Sequence, residues 1–151
     1  MQTTFLDGRG PVAAVIRSIG VRHAGAHDLV DTGLYLDLRR ALRNPADDPA
    51  LRDGTGLDAA VRAHVLATSG ARELIARAAV QLQVLADEVP MGCLVRLTVA
   101  CQGGRHRSVA AAEEIALRVW AAWRGERGIE VEHHHIDRPV LPAAGCTLFG
   151  G

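Results

Sequence analysis

The spacing of apolar and polar positions changes period several times along the chain. Residues 11–21, "PVAAVIRSIGV", are rich in Val and Ile between Pro11 and Gly20, which predicts a strand. Residues 34–40, "LYLDLRR", alternate: Leu34, Leu36 and Leu38 point one way, Tyr35, Asp37 and Arg39 the other. That is a second strand with one buried face. "NPADDPALRDGTG", residues 44–56, is a Pro/Asp/Gly loop longer than a hairpin needs, and loops of that length tend to be functional or mobile. A short helix is expected over 57–68. Ser69 stands where it would cap a longer helix over 71–89, whose Leu74, Ile75, Ala78, Leu82 and Leu85 recur at helical spacing. Pro90 and Gly92 stop it. "CLVRLTVAC", residues 93–101, is almost continuously apolar, as a strand covered on both faces would be. From Ser108, Val109, Ala112, Ala116, Val119, Trp120 and Trp123 form a helical face; "IEVEHHHID", residues 129–137, is the last expected strand. From residue 139 the chain reads as an irregular tail.

Strands separated by helices predict a single α/β domain over residues 1–151, with a mostly parallel sheet of about four strands flanked by helices. Open sheets of this kind gather ligands at the carboxyl ends of their strands. Asp37 to Arg39 and Cys101 to Ser108 both fall at strand ends, so both are expected to face one cleft.

Composition narrows the picture. Of 151 residues, 48% are hydrophobic but only 3% aromatic, so Leu, Val, Ile and Ala must fill the core. No segment approaches the roughly 20 apolar residues of a membrane helix, and the start lacks a secretory pattern; a cytoplasmic protein without a membrane partner is expected. Cys93, Cys101 and Cys146 have no CxxC spacing, which argues against structural zinc; Cys93 and Cys146 read as ordinary buried or tail thiols. No metal and no cofactor are expected. The formal net charge is zero, so RNA would need a local basic patch. All 17 basic side chains are arginine; without lysine there is no Walker A motif.

The segment "CQGGRHRS", residues 101–108, carries the densest chemistry. Gly103 and Gly104 let the backbone turn tightly and approach a ligand. The helix that follows leaves its first N–H groups unpaired, with a partial positive charge. Arg105, His106 and Arg107 add donors where a helix disfavours cations, and Ser108 can cap or donate. Converging donors of this kind predict an anion site, with phosphate the expected anion; the plain alternative is a glycine turn with solvated arginines. The spacing C-x-x-G-x-x-R-S also resembles the phosphate loop of cysteine-dependent phosphatases. In that alternative Cys101, activated by the electropositive loop, is the catalytic nucleophile and Arg107 clamps the oxygens. Ala100 stands where those enzymes usually have histidine, and no general-acid loop is evident, although Asp31 or Asp37 could serve.

"CQGGRHRSVAAAEEIA" also resembles the C-T-G-G-x-H-R-S-V-x-x-A-E signature of the C-terminal domain of RapZ, the bacterial RNase adapter family. "LDLRRALRNPADDPALRDGTGLDAAV" and "IRSIGVRHAG" are similar to two further stretches of that domain, in the same order, so the likeness runs from about residue 14 to 138. It implies a sensor or regulatory domain for phosphate or a phosphosugar, glucosamine 6-phosphate being the suggested ligand class. In the adapters such a domain also binds small RNA and self-associates, so RNA and a homo-oligomer are implied as partners. Carried over by residue, it implies ligand roles for Gly103, Gly104, Arg105, His106, Arg107 and Ser108. From the second stretch it adds Asp37, Arg39, Asn44, Arg52 and Thr55, with Gly56 and Asp58. Gln102 replaces the usual threonine, and the family's basic end is missing, which should weaken RNA affinity. The family's nucleotide-hydrolysing domain is absent from this sequence, so a binding module is expected before an enzyme.

Three further features remain. Asp37 and Arg39 share a strand face and can pair. His133 and His135 would share a face on a strand, but a metal would need a third ligand such as Glu130 or Asp137. Trp120 and Trp123 fit a core or a subunit interface.

Overall fold

The computed structural model describes residues 1–42 and 44–142. Five strands form one sheet in the order β1-β5-β2-β4-β3. β2 (Val12–Gly20), β3 (Leu34–Asp37), β4 (Val95–Cys101) and β5 (Gly128–His133) are parallel; β1 (Gln2–Leu6) runs antiparallel to β5 at the edge. The mostly parallel α/β domain is therefore as expected, with one strand more than the sequence suggested. β1 escaped notice because its residues, "QTTFL", carry little apolar pattern; its pairing with residues 129–133 defines it, and Phe5 stays exposed.

Of three helices, α2 (Ala71–Glu88) and α3 (Arg107–Ala122) pack on one face of the sheet, and α1 (Ala59–Leu66) packs against α3 and α2. Ala14 and Ile16 of β2, Leu97 and Val99 of β4, and Ile129 and Val131 of β5 meet Ile75, Leu82, Ile115 and Val119 there. Trp123 joins this core and Trp120 packs against it. Small residues let α3 approach: Ala110, Ala111, Ala112 and Ala116 are fully buried. The opposite face is more polar. Arg17 bridges Glu132 and Asp31, and Arg96, the exposed residue of β4, reaches Asp31 as well, while the rest of β4 is buried on both faces as expected.

Other boundaries shift for local reasons. Gly70, at φ 82°, precedes α2 instead of a Ser69 cap, and Asp58 precedes α1. β5 ends at His133, because the chain turns where Arg138 N–H donates to the His135 carbonyl. Cys93 is exposed rather than buried, and Cys146 lies outside the described residues, as does the tail beyond residue 142. No helix among the described residues is long and apolar enough to cross a membrane.

Candidate functional site

β4 is entered from the β3 side, while α3 leads away to β5 beyond β2. The adjacent β2 sends the chain the other way, to β3, and open α/β sheets form a crevice at the carboxyl edge where neighbouring strands send the chain in opposite directions. Residues 102–106 cross that point, between the last residue of β4 and the first of α3. The first intrahelical bond at the start of α3 runs from Ala110 N–H to the His106 carbonyl, so the amides of Arg107, Ser108 and Val109 precede it.

The loop is held by backbone packing. Gly104 sits at φ 72°, and a Cβ there would lie 2.5 Å from Gly20 N and 2.8 Å from His135 Cβ. Gly20 faces the Gly103 carbonyl equally closely, with no room for a side chain. Val21 and Arg22 N–H donate to the carbonyls of Cys101 and Gln102, at 2.9 and 3.1 Å. Around Gly103 the nearest atom to an added Cβ is Leu141 Cδ1 at 3.9 Å, so that glycine borders open space.

The predicted loop side chains separate by role. Among the described residues Arg105 bonds main-chain carbonyls alone: Nε to Gly54 at 2.9 Å, Nη2 to Asp53, Nη1 to Arg138 at 3.1 Å and Ile136 at 3.4 Å. It fastens the 53–56 turn to the loop, and Gly56 N–H returns a bond to the Arg105 carbonyl at 2.9 Å. His106 Nε2 donates to the Arg52 carbonyl at 2.8 Å. Burial depresses the His106 pKa against the help of that carbonyl, and the neighbouring arginines lower it further. Arg107, 5% exposed, places Nη1 against the carbonyls of Leu38, Arg39 and Leu42 at 3.0–3.3 Å, while its Nε is buried without a partner among the described residues. Cys101 Sγ lies 3.2 Å from both the Gly104 amide and Ser108 Oγ.

The second stretch follows the same division. Asp37 and Arg39 form a bidentate ion pair, with Nη2 to Oδ2 at 2.7 Å, and the guanidinium hydrogen bonds hold the Asp37 carboxyl below its usual range. Asn44 Oδ1 accepts from Ala46 N–H at 3.1 Å and caps the turn Pro45–Asp47, and Arg52 Nε donates to the Ala46 carbonyl at 2.8 Å. Thr55 Oγ1 accepts from Leu57 N–H, and Asp58 Oδ2 accepts from Thr55 N–H at 2.7 Å. These two residues shape the turn beneath the loop.

A cleft of about 1090 Å³ opens over this assembly. Cys101, Gly103, Gly104, Arg105, His106 and Arg107 line one side; Arg39, Asn44 and Arg52 line the other. Asp37, Ser108 and Thr55 are not among the lining residues, Ser108 being fully buried under the loop. Arg22, Asp47 and residues 139–142 were missed by sequence reasoning. Arg22 lies two residues past β2, and only the parallel pairing of β2 with β4 puts that position beside the loop. Its Nη1 donates to the Pro142 carbonyl at 2.8 Å.

The histidine run is hydrogen-bonded inside the fold. His133 bridges Ser18 Oγ and Glu113 Oε1, at 2.7 Å each, and Thr4 Oγ1 donates to Glu113 at 2.8 Å. His135 Nδ1 accepts from Gly20 N–H at 2.8 Å. Among the described residues no group of three His, Cys, Asp or Glu side chains is placed to hold a metal. Burial first, then the nearby His23, pushes the His135 pKa down to about 4. Because the folded protein prefers the neutral ring, this contribution to stability is complete above the ordinary histidine pKa of about 6.5. It is lost as pH falls from there towards 4. Denaturation midpoints should therefore drop between pH 7 and 4.5. His135→Asn, which keeps an acceptor for Gly20 N–H, should flatten part of that drop; an unchanged profile would assign the acid limb elsewhere.

Together the fold and the site define an α/β domain whose parallel strands end at an arginine-lined cleft over a glycine loop and a helix start. The chain belongs to the RapZ C-terminal domain family, whose model matches residues 12–137. It is 42% identical over 135 residues to a nucleotide-binding protein of Rubrobacter xylanophilus, covering 87% of this chain and 42% of that protein. A nucleotide-binding protein of Rhodospirillum rubrum is 36% identical, covering 91% of this chain and 41% of the relative. One of Thermus thermophilus is also 36% identical, covering 91% and 53%. The chain thus spans about half the length of the relatives it matches.

Proposed function

We propose that this domain is a regulatory sensor that binds a phosphorylated small molecule in the cleft over residues 101–108. The observation that carries this is the cleft at the start of α3, where amides precede the first intrahelical bond and Arg107 keeps an unpartnered Nε. Unpaired helix amides, a helix dipole and a guanidinium together suit a phosphate dianion. Family membership supports a phosphosugar of the glucosamine 6-phosphate type. The names of the relatives add nucleotides as candidates, although their other half can equally hold the nucleotide. RNA phosphates and a homo-oligomer complete the proposal; binding through several phosphates would weaken steeply with salt.

One observation favours the cysteine-phosphatase alternative: Ser108 Oγ and the Gly104 amide both lie beside Cys101 Sγ, as a thiolate needs. Against it, the thiol is only 3% exposed, and Arg107 Nη1 faces the 38–42 carbonyls. Titration calorimetry with inorganic phosphate and glucosamine 6-phosphate should give saturable binding, with no turnover of an aryl phosphate. Absence of binding to either would reject the proposal, and turnover abolished by Cys101→Ser would replace it with the alternative.

A further inference from the structure

The donors that a sequence would assign to the anion are largely committed to the fold. Arg105 bonds four carbonyls and Arg107 Nη1 bonds three, so these side chains hold the loop in shape. The exposed guanidinium groups of the cleft sit on its rim, at Arg22, Arg39 and Arg52. Arg39 and Arg52 are not placed there at random. The Arg39 carbonyl accepts from Arg107 at 3.0 Å and the Arg52 carbonyl accepts from His106 at 2.8 Å. The main chains of Arg39 and Arg52 are therefore hydrogen-bonded to Arg107 and His106, the first residue of α3 and the one before it.

Charge and size point the same way. The chain has no net charge, yet five arginines line this cleft against a single acid, Asp47, among the described residues; Asp37 offsets Arg39 from just outside. A phosphate dianion at the helix start leaves much of that positive charge without a counter-ion. A volume of about 1090 Å³ also exceeds what one phosphate fills and suits a drug-sized ligand.

Building on the anion site proposed above, we propose that the cleft takes a ligand with two anionic groups, a diphosphate or bisphosphate. The loop and α3 amides hold the first group, and Arg39 and Arg52 hold the second. Arg39 can swing from Asp37 to the ligand, because the pair is exposed and such pairs contribute little. Arg52 stays anchored through Nε to Ala46, which leaves its Nη atoms for an oxygen pair.

The test compares inorganic phosphate with pyrophosphate by titration calorimetry, without divalent cations, at one ionic strength near 0.15 M. Pyrophosphate should bind at least about ten-fold tighter to the wild-type chain. In Arg39→Gln/Arg52→Gln, and to a lesser degree in each single variant, the affinity ratio should fall towards one. Both side chains are exposed, and the single variants guard against a double variant that fails to fold. A wild-type ratio near one, or a ratio undiminished in the variants, overturns the second subsite while leaving the phosphate site standing. Failure of both anions to bind overturns the site itself.

Discussion

Arg107→Ala should abolish phosphate binding and lower the unfolding free energy by on the order of 3 kcal/mol. The two effects have separate origins. Stability falls because Nη1 bonds the carbonyls of Leu38, Arg39 and Leu42, which lose their partner in a nearly closed environment. Unpaired buried acceptors are costly in a way that exposed ones are not. Binding falls because the fork beside the first turn of α3 is gone, and because the 38–42 segment is released from the loop. Arg107→Lys separates the two effects. Lysine keeps the charge and can satisfy one carbonyl, so part of the stability should return, but it lacks the planar fork and affinity should stay low. Chemical denaturation and phosphate titration on the same samples read both quantities. Unchanged phosphate affinity in Arg107→Ala would move the site away from this loop.

Gly104→Ala should be the most damaging substitution in the glycine pair, costing at least about 3 kcal/mol. Its φ of 72° is disfavoured for an alanine, and the new Cβ would meet Gly20 N at 2.5 Å and His135 Cβ at 2.8 Å. The nearest of these is backbone of the central strand, which cannot yield without disturbing the pairing of β2 with β4. Gly103→Ala is the informative control. Its Cβ would have nothing nearer than Leu141 Cδ1 at 3.9 Å, so folding should be nearly unaffected while the methyl group enters the cleft. Melting temperatures should thus separate the two variants widely, whereas phosphate affinity should fall in both. Equal melting temperatures would show that the loop does not depend on its left-handed glycine.

Much of the site was visible in sequence because its neighbours in space are neighbours in the chain. The Gly-Gly turn, the run of basic residues and the helix start occupy one continuous segment, 101–108, and local rules about glycine and helix ends apply to it directly. The alternation in 34–38 likewise foretold a strand with Leu38 fully buried and Tyr35 and Asp37 outside. Less visible was what each cation does. That Arg105 and Arg107 also bond carbonyls 31–69 residues away in the chain could not be read, because no spacing rule operates at that distance. Nor could spacing name the partners of the histidine run, because Ser18 and Gly20 come from β2 and Glu113 from α3.

By itself, then, the order of residues determined the α/β class, the parallel core strands and the position of a donor-rich loop at a strand–helix junction. Those features depend on periodicity and on backbone freedom within a few residues. Tertiary structure alone decided that β1 pairs with β5, that Arg22 and Asp47 border the cleft, and that Arg105 and Arg107 brace the loop while Arg39 and Arg52 stay exposed. Hydrogen bonds between distant segments make those choices. A guanidinium takes whichever acceptors the packed chain brings within reach.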